Sequence, residues 1–209
     1  MPAYKLAIFD FDGTLGDTLG WMLDTSDALA EKFGYRKIDR DQLDQLRHLS
    51  AREMMKVQKL PALKLPAIAA HFQKLMAADA DKISLFDGAA QTLRTLHDGG
   101  VRLAIVSSNS EENIRVVLGP ELCALISTFD CGASMFGKAR KFRKVLKRLG
   151  VKPSEAISIG DEIRDLDAAR EVGLATAVVC WGYTAPDALK AQTPDLVFET
   201  MGEIAERFT

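Results

Sequence analysis

The chain has 209 residues, 47% of them apolar, and a formal net charge of −2. That length suits one large domain or one domain with an insertion, and the apolar fraction supports a sizeable core. The near-balanced charge argues against a general nucleic-acid or membrane-surface role. No stretch is long enough to span a bilayer and no signal peptide is visible, so the expected compartment is the cytoplasm.

Tyr4-Lys5-Leu6-Ala7-Ile8 reads as a buried strand. Phe9-Asp10-Phe11-Asp12-Gly13-Thr14 follows, with two acids one residue apart where the strand should end and Gly13 free to turn the backbone. Two carboxylates at such a tip repel unless a cation lies between them, which asks for a metal, for acid–base work, or for both. From Leu15 to about Lys82 the periodicity is helical throughout: a helix through Leu19, Leu23, Leu29 and Phe33 stopped by Gly34, one from about Asp41 to Leu60, and one carrying Leu65, Ile68, Phe72 and Met76.

After Lys82, strands and helices alternate. Ala89–His97 reads as a helix, 101–106 as a strand closed by Ser107-Ser108-Asn109, and a helix begins near Ser110. A short strand is expected around Thr128–Cys131, then Phe136-Gly137-Lys138 and a basic helix through Arg148. Ala156–Ile159 is a strand tipped by Gly160-Asp161-Glu162, with Asp165 four residues beyond Asp161. A helix over 166–172, strands over 174–179 and 195–198, and a short terminal helix complete the chain. The alternation predicts an α/β fold, a parallel sheet with helices on both faces. The all-helical block, residues 16–83, is then an inserted domain over the active edge of a core formed by 1–15 and 84–209, placed as a lid would be.

If the strands are neighbours, Asp10 and Asp12, Ser107, Lys138, and Asp161 with Asp165 converge on one site. A carboxylate nucleophile, a second carboxylate for proton transfer, a hydroxyl, a fixed cation and metal-ligating acids suit phosphoryl transfer.

The order of these motifs resembles the haloacid-dehalogenase superfamily, in its phosphoglycolate-phosphatase-like group. Asp10-Phe-Asp12-Gly-Thr14 matches the first motif, Ser107 before Ser108-Asn109 the second, Lys138 the third, and Gly160-Asp161-Glu-Ile-Arg-Asp165 the fourth. The resemblance implies a Rossmann-like core with a helical cap of the C1 type. It implies that Asp10 attacks phosphorus to form an aspartyl-phosphate, and that Asp12 protonates the leaving oxygen and then activates water. Ser107, with Ser108, Asn109 and backbone N–H groups near it, would hold the phosphoryl oxygens, and Lys138 would neutralise charge. Mg²⁺ would bind Asp10, the Asp12 backbone carbonyl and Asp161. Asp165 would support Lys138 or metal-bound water.

Several alternatives stay open. Ala139 follows Lys138 where many relatives have Pro nearby, which leaves Lys141 as the fallback lysine. Asp12 favours phosphate-ester hydrolysis over carbon–halogen cleavage, because relatives that dehalogenate lack an acid there. A phosphomutase would share the whole core, and a receiver-like phosphate sensor would share Asp, Ser or Thr, Lys and metal. The expected partner is a small phosphorylated metabolite, with no nucleic acid and no membrane, the chain acting as monomer or homodimer. Substrate choice is assigned to the helical block, with Arg47 the leading candidate for a substrate carboxylate, beside His48, Ser50 and Arg52.

Overall fold

The first apolar run forms strand β1 (Leu6–Phe9), every residue of it buried. The structure, a computed structural model, describes residues 4–132 and 137–208. Phe136, placed ahead of Lys138 in the sequence reading, lies outside the described residues. After a turn the chain makes β2 (Gly16–Asp17) and enters helices α1 (Leu19–Phe33), α2 (Leu43–Leu46), α3 (Ala51–Val57) and α4 (Leu65–Asp79). Strand β3 (Ser84–Leu85) returns antiparallel to β2, pairing Gly16 with Leu85 and Asp17 with Ser84. Then follow α5 (Ala89–Asp98), β4 (Arg102–Val106), α6 (Glu111–Leu125), β5 (Ile126–Asp130), α7 (Lys138–Leu149) and β6 (Ala156–Gly160). The chain closes with α8 (Ile163–Val172), β7 (Ala175–Val179), α9 (Pro186–Lys190), β8 (Leu196–Phe198) and α10 (Met201–Phe208).

Among the described residues the main sheet has the order β5-β4-β1-β6-β7-β8, with every neighbouring pair parallel. Strand side chains alternate between the faces, and both faces are covered. Ala7 and Phe9 of β1 pack with Leu93, Leu96, Ile114 and Ile204. Leu6 and Ile8 pack on the other side with Phe142, Val145 and Ala169. The expected α/β sheet with an inserted helical block is therefore the architecture of this chain.

The helix expected over 41–60 is not continuous. Ser50 is extended (φ −64°, ψ 158°) and caps a new helix: its Oγ accepts from the Glu53 N–H while Glu53 accepts from the Ser50 N–H. That reciprocal cap satisfies donors at the start of α3 and breaks the phase of the apolar stripe. Leu46 is consequently buried while Val57 is exposed. The reading of 15–82 as helix alone also misses β2, whose two residues carry too little pattern to be seen.

The strand order sets the site. Asp10, Ser107 and Asp161 each follow directly on β1, β4 and β6, and these three strands are adjacent. Their carboxyl ends open on one crevice, where ligands of open α/β sheets bind.

Candidate active site

The turn after β1 is fixed by its own backbone. The Asp10 N–H donates to Ile159 O (2.9 Å), and the Phe11 carbonyl accepts from Thr14, Leu15 and Gly16. Gly13 has φ +75°, and a Cβ there would overlap the Asp161 carboxylate, so only glycine serves both demands. Asp10 Oδ1 accepts from the Phe11 N–H (2.7 Å), which leaves Oδ2 facing Lys138.

Lys138 opens α7 and links two acids. Its Nζ lies 2.6 Å from Asp10 Oδ2 and 2.5 Å from Asp165 Oδ1, and all three side chains are almost fully buried. Lys141, one turn on, points elsewhere: its Nζ donates to the carbonyls of Ser107 (2.6 Å) and Gly132 (2.7 Å). Of the two lysines left open by the sequence, Lys138 is the one on the acids.

Asp161 is buried with both oxygens engaged. Oδ1 accepts from Thr14 Oγ1 (2.7 Å) and Oδ2 from the Tyr183 N–H (2.8 Å). Burial first, then the charges of Glu162, Asp10 and Asp165, raise its carboxyl well above the ordinary carboxylate range. Asp10, Asp161 and Asp165 each offer an oxygen, and these oxygens lie within 4.8 Å of one another. An all-oxygen, buried, anion-rich cluster of this kind fits a hard divalent cation.

Asp12 is held from the β4 side. Asn109 Nδ2 donates to Asp12 Oδ1 (3.1 Å), and Asn109 also ties to Ser107, whose Oγ accepts its N–H (3.1 Å). Burial and the neighbouring Asp10 charge push the Asp12 carboxyl up to about 7. Asp10 moves the other way: burial opposes ionisation, but Lys138 and Arg164 hold it below its ordinary value. Two adjacent carboxyls whose proton affinities are pushed apart are chemically suited to different tasks, one as a carboxylate and one as a proton carrier.

A cavity of about 460 Å³ borders this cluster, lined by Ser107, Ser108 and Lys138 from the core and by Leu49, Ser50 and Arg52 from the helical block. Arg164 and Glu162 line it from the start of α8. Arg47 does not. Its guanidinium donates from Nη2 to Gly182 O (2.8 Å) and from Nε to Tyr183 O (3.0 Å). The guanidinium expected on a substrate carboxylate thus spends two of its five N–H donors on core carbonyls, and it borders a second, smaller cavity with Tyr183 and Arg164.

The sequence profile of the haloacid dehalogenase-like hydrolases matches residues 7–179. The chain belongs to that family. Among curated relatives, the phosphoglycolate phosphatase of Synechococcus elongatus is 34% identical over 203 residues, 97% of this chain and 96% of that one. The phosphoglycolate phosphatase of Xylella fastidiosa is 30% identical over 190 residues, 86% of this chain and 81% of that one. A solved haloacid dehalogenase-like hydrolase from Streptococcus pneumoniae superposes with a TM-score of 0.82 at 18% identity, covering 99% of each chain, which is agreement in fold.

For this haloacid dehalogenase-like chain, sequence reasoning placed the acids and missed much of what holds them. Asn109 was expected on substrate; its Nδ2 lies on Asp12 while its Oδ1 accepts from Ser110 and Asn113. Thr14 was expected only as part of a motif, and it orients Asp161. Tyr183 sits on a loop that carried no readable pattern. Arg164 was quoted within the fourth motif without a task; its Nε is buried with no partner among the described residues.

Proposed function

We propose that this chain is a Mg²⁺-dependent phosphatase of small phosphomonoesters, phosphoglycolate-like in substrate, that works through an aspartyl-phosphate on Asp10. The observation that carries this reading is the pairing of two adjacent carboxylates with separate holders, Asp10 on Lys138 and Asp12 on Asn109, at the tip of the central strand.

Asp10 attacks phosphorus, the bond to the leaving oxygen breaks, and the Asp12 carboxyl supplies the proton that the leaving oxygen takes. Asp12, now a carboxylate, takes a proton from water as that water attacks the phosphorus and frees Asp10 with inorganic phosphate. Lys138 offsets charge on Asp10 and the phosphoryl group, and Asp165 keeps Lys138 in place. Ser107 and Ser108 meet the phosphoryl oxygens from the end of β4. Asp10, the Asp12 carbonyl and Asp161 would hold Mg²⁺, which when bound supplies further charge neutralisation at the transferring group. The metal reading is supported by the clustered carboxylate oxygens and by the raised proton affinity of Asp161.

Residues 16–83 form the cap in this reading, hinged at the β2–β3 pair. Arg52 and Arg164 are the cap-side and core-edge cations that line the cavity beyond the lysines, and they stand ahead of Arg47 as candidates for a carboxylate on the leaving group. Release of inorganic phosphate from a panel of metabolite phosphates, with and without Mg²⁺, tests the function. Return of the phosphoryl group to substrate, without net release, would mark a mutase instead.

A further inference from the structure

We propose that Arg47 is a positioning residue, which ties closure of the helical block to the orientation of Asp161 through the peptide unit joining Gly182 to Tyr183. The inference rests on the reading of Asp161 as a metal ligand given above.

The two ends of that one peptide unit face different partners. Its carbonyl, Gly182 O, accepts from Arg47 Nη2 at 2.8 Å, and its N–H, on Tyr183, donates to Asp161 Oδ2 at 2.8 Å. The described chain has no cis peptide bond, so the carbonyl and the N–H of this unit point in opposite directions on one rigid plane. A guanidinium on the carbonyl therefore fixes the direction in which the N–H is aimed. It also polarises the amide, which strengthens the donor facing Asp161.

The neighbouring contacts hold the plane from both sides. Arg47 Nε donates to Tyr183 O (3.0 Å), and Arg47 O accepts from the Ala185 N–H (2.9 Å), so one residue of the block grips the loop at three points. On the core side, Thr184 N–H donates to Asp161 O (3.3 Å), and Trp181 Nε1 donates to Thr14 O (3.1 Å). Tyr183 Oη and Thr18 Oγ1 share a hydrogen bond just past the hinge strand β2. Gly182 is packed so closely that a Cβ there would overlap the Asp161 carboxylate. With so little clearance, rotation of this peptide moves the carboxylate oxygen.

When the block swings away, Arg47 leaves with it, and the Gly182–Tyr183 peptide loses the donors on its outer side. Asp161 Oδ2 then has a less firmly directed partner. The closed state is thus the one in which the carboxylate is aimed for a cation. This separates two roles that Arg47 could have had. A residue that reads substrate acts on the leaving group, whereas one that aims a ligand acts on metal affinity and on turnover of every substrate alike.

The test compares wild type with Arg47→Met, Arg47→Lys and His48→Ala. His48 belongs to the same turn, and its ring nitrogens face Asp44 O and Asp187 rather than the Gly182–Tyr183 peptide. Mg²⁺ alone is titrated against each protein by thermal shift, and kcat and KM are measured with phosphoglycolate and with p-nitrophenyl phosphate. Arg47→Met should need about tenfold more Mg²⁺ for the half-maximal shift and lose about tenfold in kcat on both substrates, in the range of lost outer-shell partners of a metal site. KM should stay within about twofold, Arg47→Lys should recover part of the loss, and His48→Ala should titrate as wild type. An unchanged Mg²⁺ midpoint in Arg47→Met overturns the proposal. So does a loss confined to KM for phosphoglycolate, or an equal shift in His48→Ala, which would reflect general docking of the block. A wild type with neither a Mg²⁺ shift nor phosphate release would instead remove the phosphatase reading beneath it.

Discussion

Asn109 presents its amide nitrogen to Asp12 Oδ1 at 3.1 Å because its amide oxygen is already claimed by the N–H of Ser110 and by Asn113 Nδ2. The Asn109 amide can therefore face Asp12 only as a donor. A donor there favours the carboxylate form, while burial and Asp10 favour the protonated form, and the balance leaves Asp12 near 7.

Asn109→Ala should lower kcat by about tenfold to 100-fold with a smaller change in KM, because the acid–base group loses its orientation. Steady-state kinetics on p-nitrophenyl phosphate check this. An equal loss in Asn113→Ala would show that the amide must be held from behind, since Asn113 touches Asn109 and not Asp12.

Lys138 and Lys141 should part company. Lys138→Ala leaves Asp10 and Asp165 adjacent and buried with their shared cation gone, and activity should fall by at least about 100-fold. Lys141→Ala removes a tie between the carbonyls of Ser107 and Gly132, and should appear mainly as lost stability, about 1–3 kcal/mol, with turnover less affected. Parallel kinetics and chemical denaturation of the two variants decide the assignment.

Asp161→Asn should make the metal-free protein more stable while ending its activity. The substitution removes a buried carboxyl whose charged form is disfavoured by burial and by Glu162, Asp10 and Asp165, and both hydrogen bonds survive. The amide oxygen can take the Tyr183 N–H, and the amide nitrogen can donate to Thr14 Oγ1. Relief of about 1 kcal/mol would raise Tm by about 3 °C in a chain of this size. Calorimetry in chelator measures it; a fall in Tm would mean that the carboxylate charge is needed even without a cation.

Arg164→Met should raise KM for phosphoglycolate several-fold and spare p-nitrophenyl phosphate. Arg164 lines the cavity beside the acid cluster and donates from Nη2 to Glu162, while its Nε lacks a partner among the described residues. A guanidinium with spare donors suits a second anionic group on substrate. Equal losses on both substrates would show that Arg164 serves the acid cluster electrostatically instead.

The strands and the acids at their tips were legible because both signals are local. β1 and β6 are short apolar runs that end directly at Asp10 and close to Asp161, and turn chemistry follows each. The helical block was legible in outline through its 3.6-residue period, but the continuous helix read over 41–60 failed at Ser50, where capping overrode periodicity. What remained hidden depends on contacts across the chain. Thr14 meets Asp161 across 147 positions, and Asn109 meets Asp12 across 97. No spacing rule encodes such pairs; strand order brings them together. Arg47 shows the limit most clearly: its charge was visible, but a backbone carbonyl as its partner leaves no trace in the side-chain pattern.

The most direct measurement is rapid quench of the enzyme mixed with phosphoglycolate and Mg²⁺, followed by peptide mapping. A transient acyl phosphate on the Asp10 peptide, sensitive to hydroxylamine, should precede phosphate release and be absent in Asp10→Asn. Phosphate release at the wild-type rate by Asp10→Asn, with no phosphorylated peptide in either protein, would contradict an aspartyl-phosphate on Asp10.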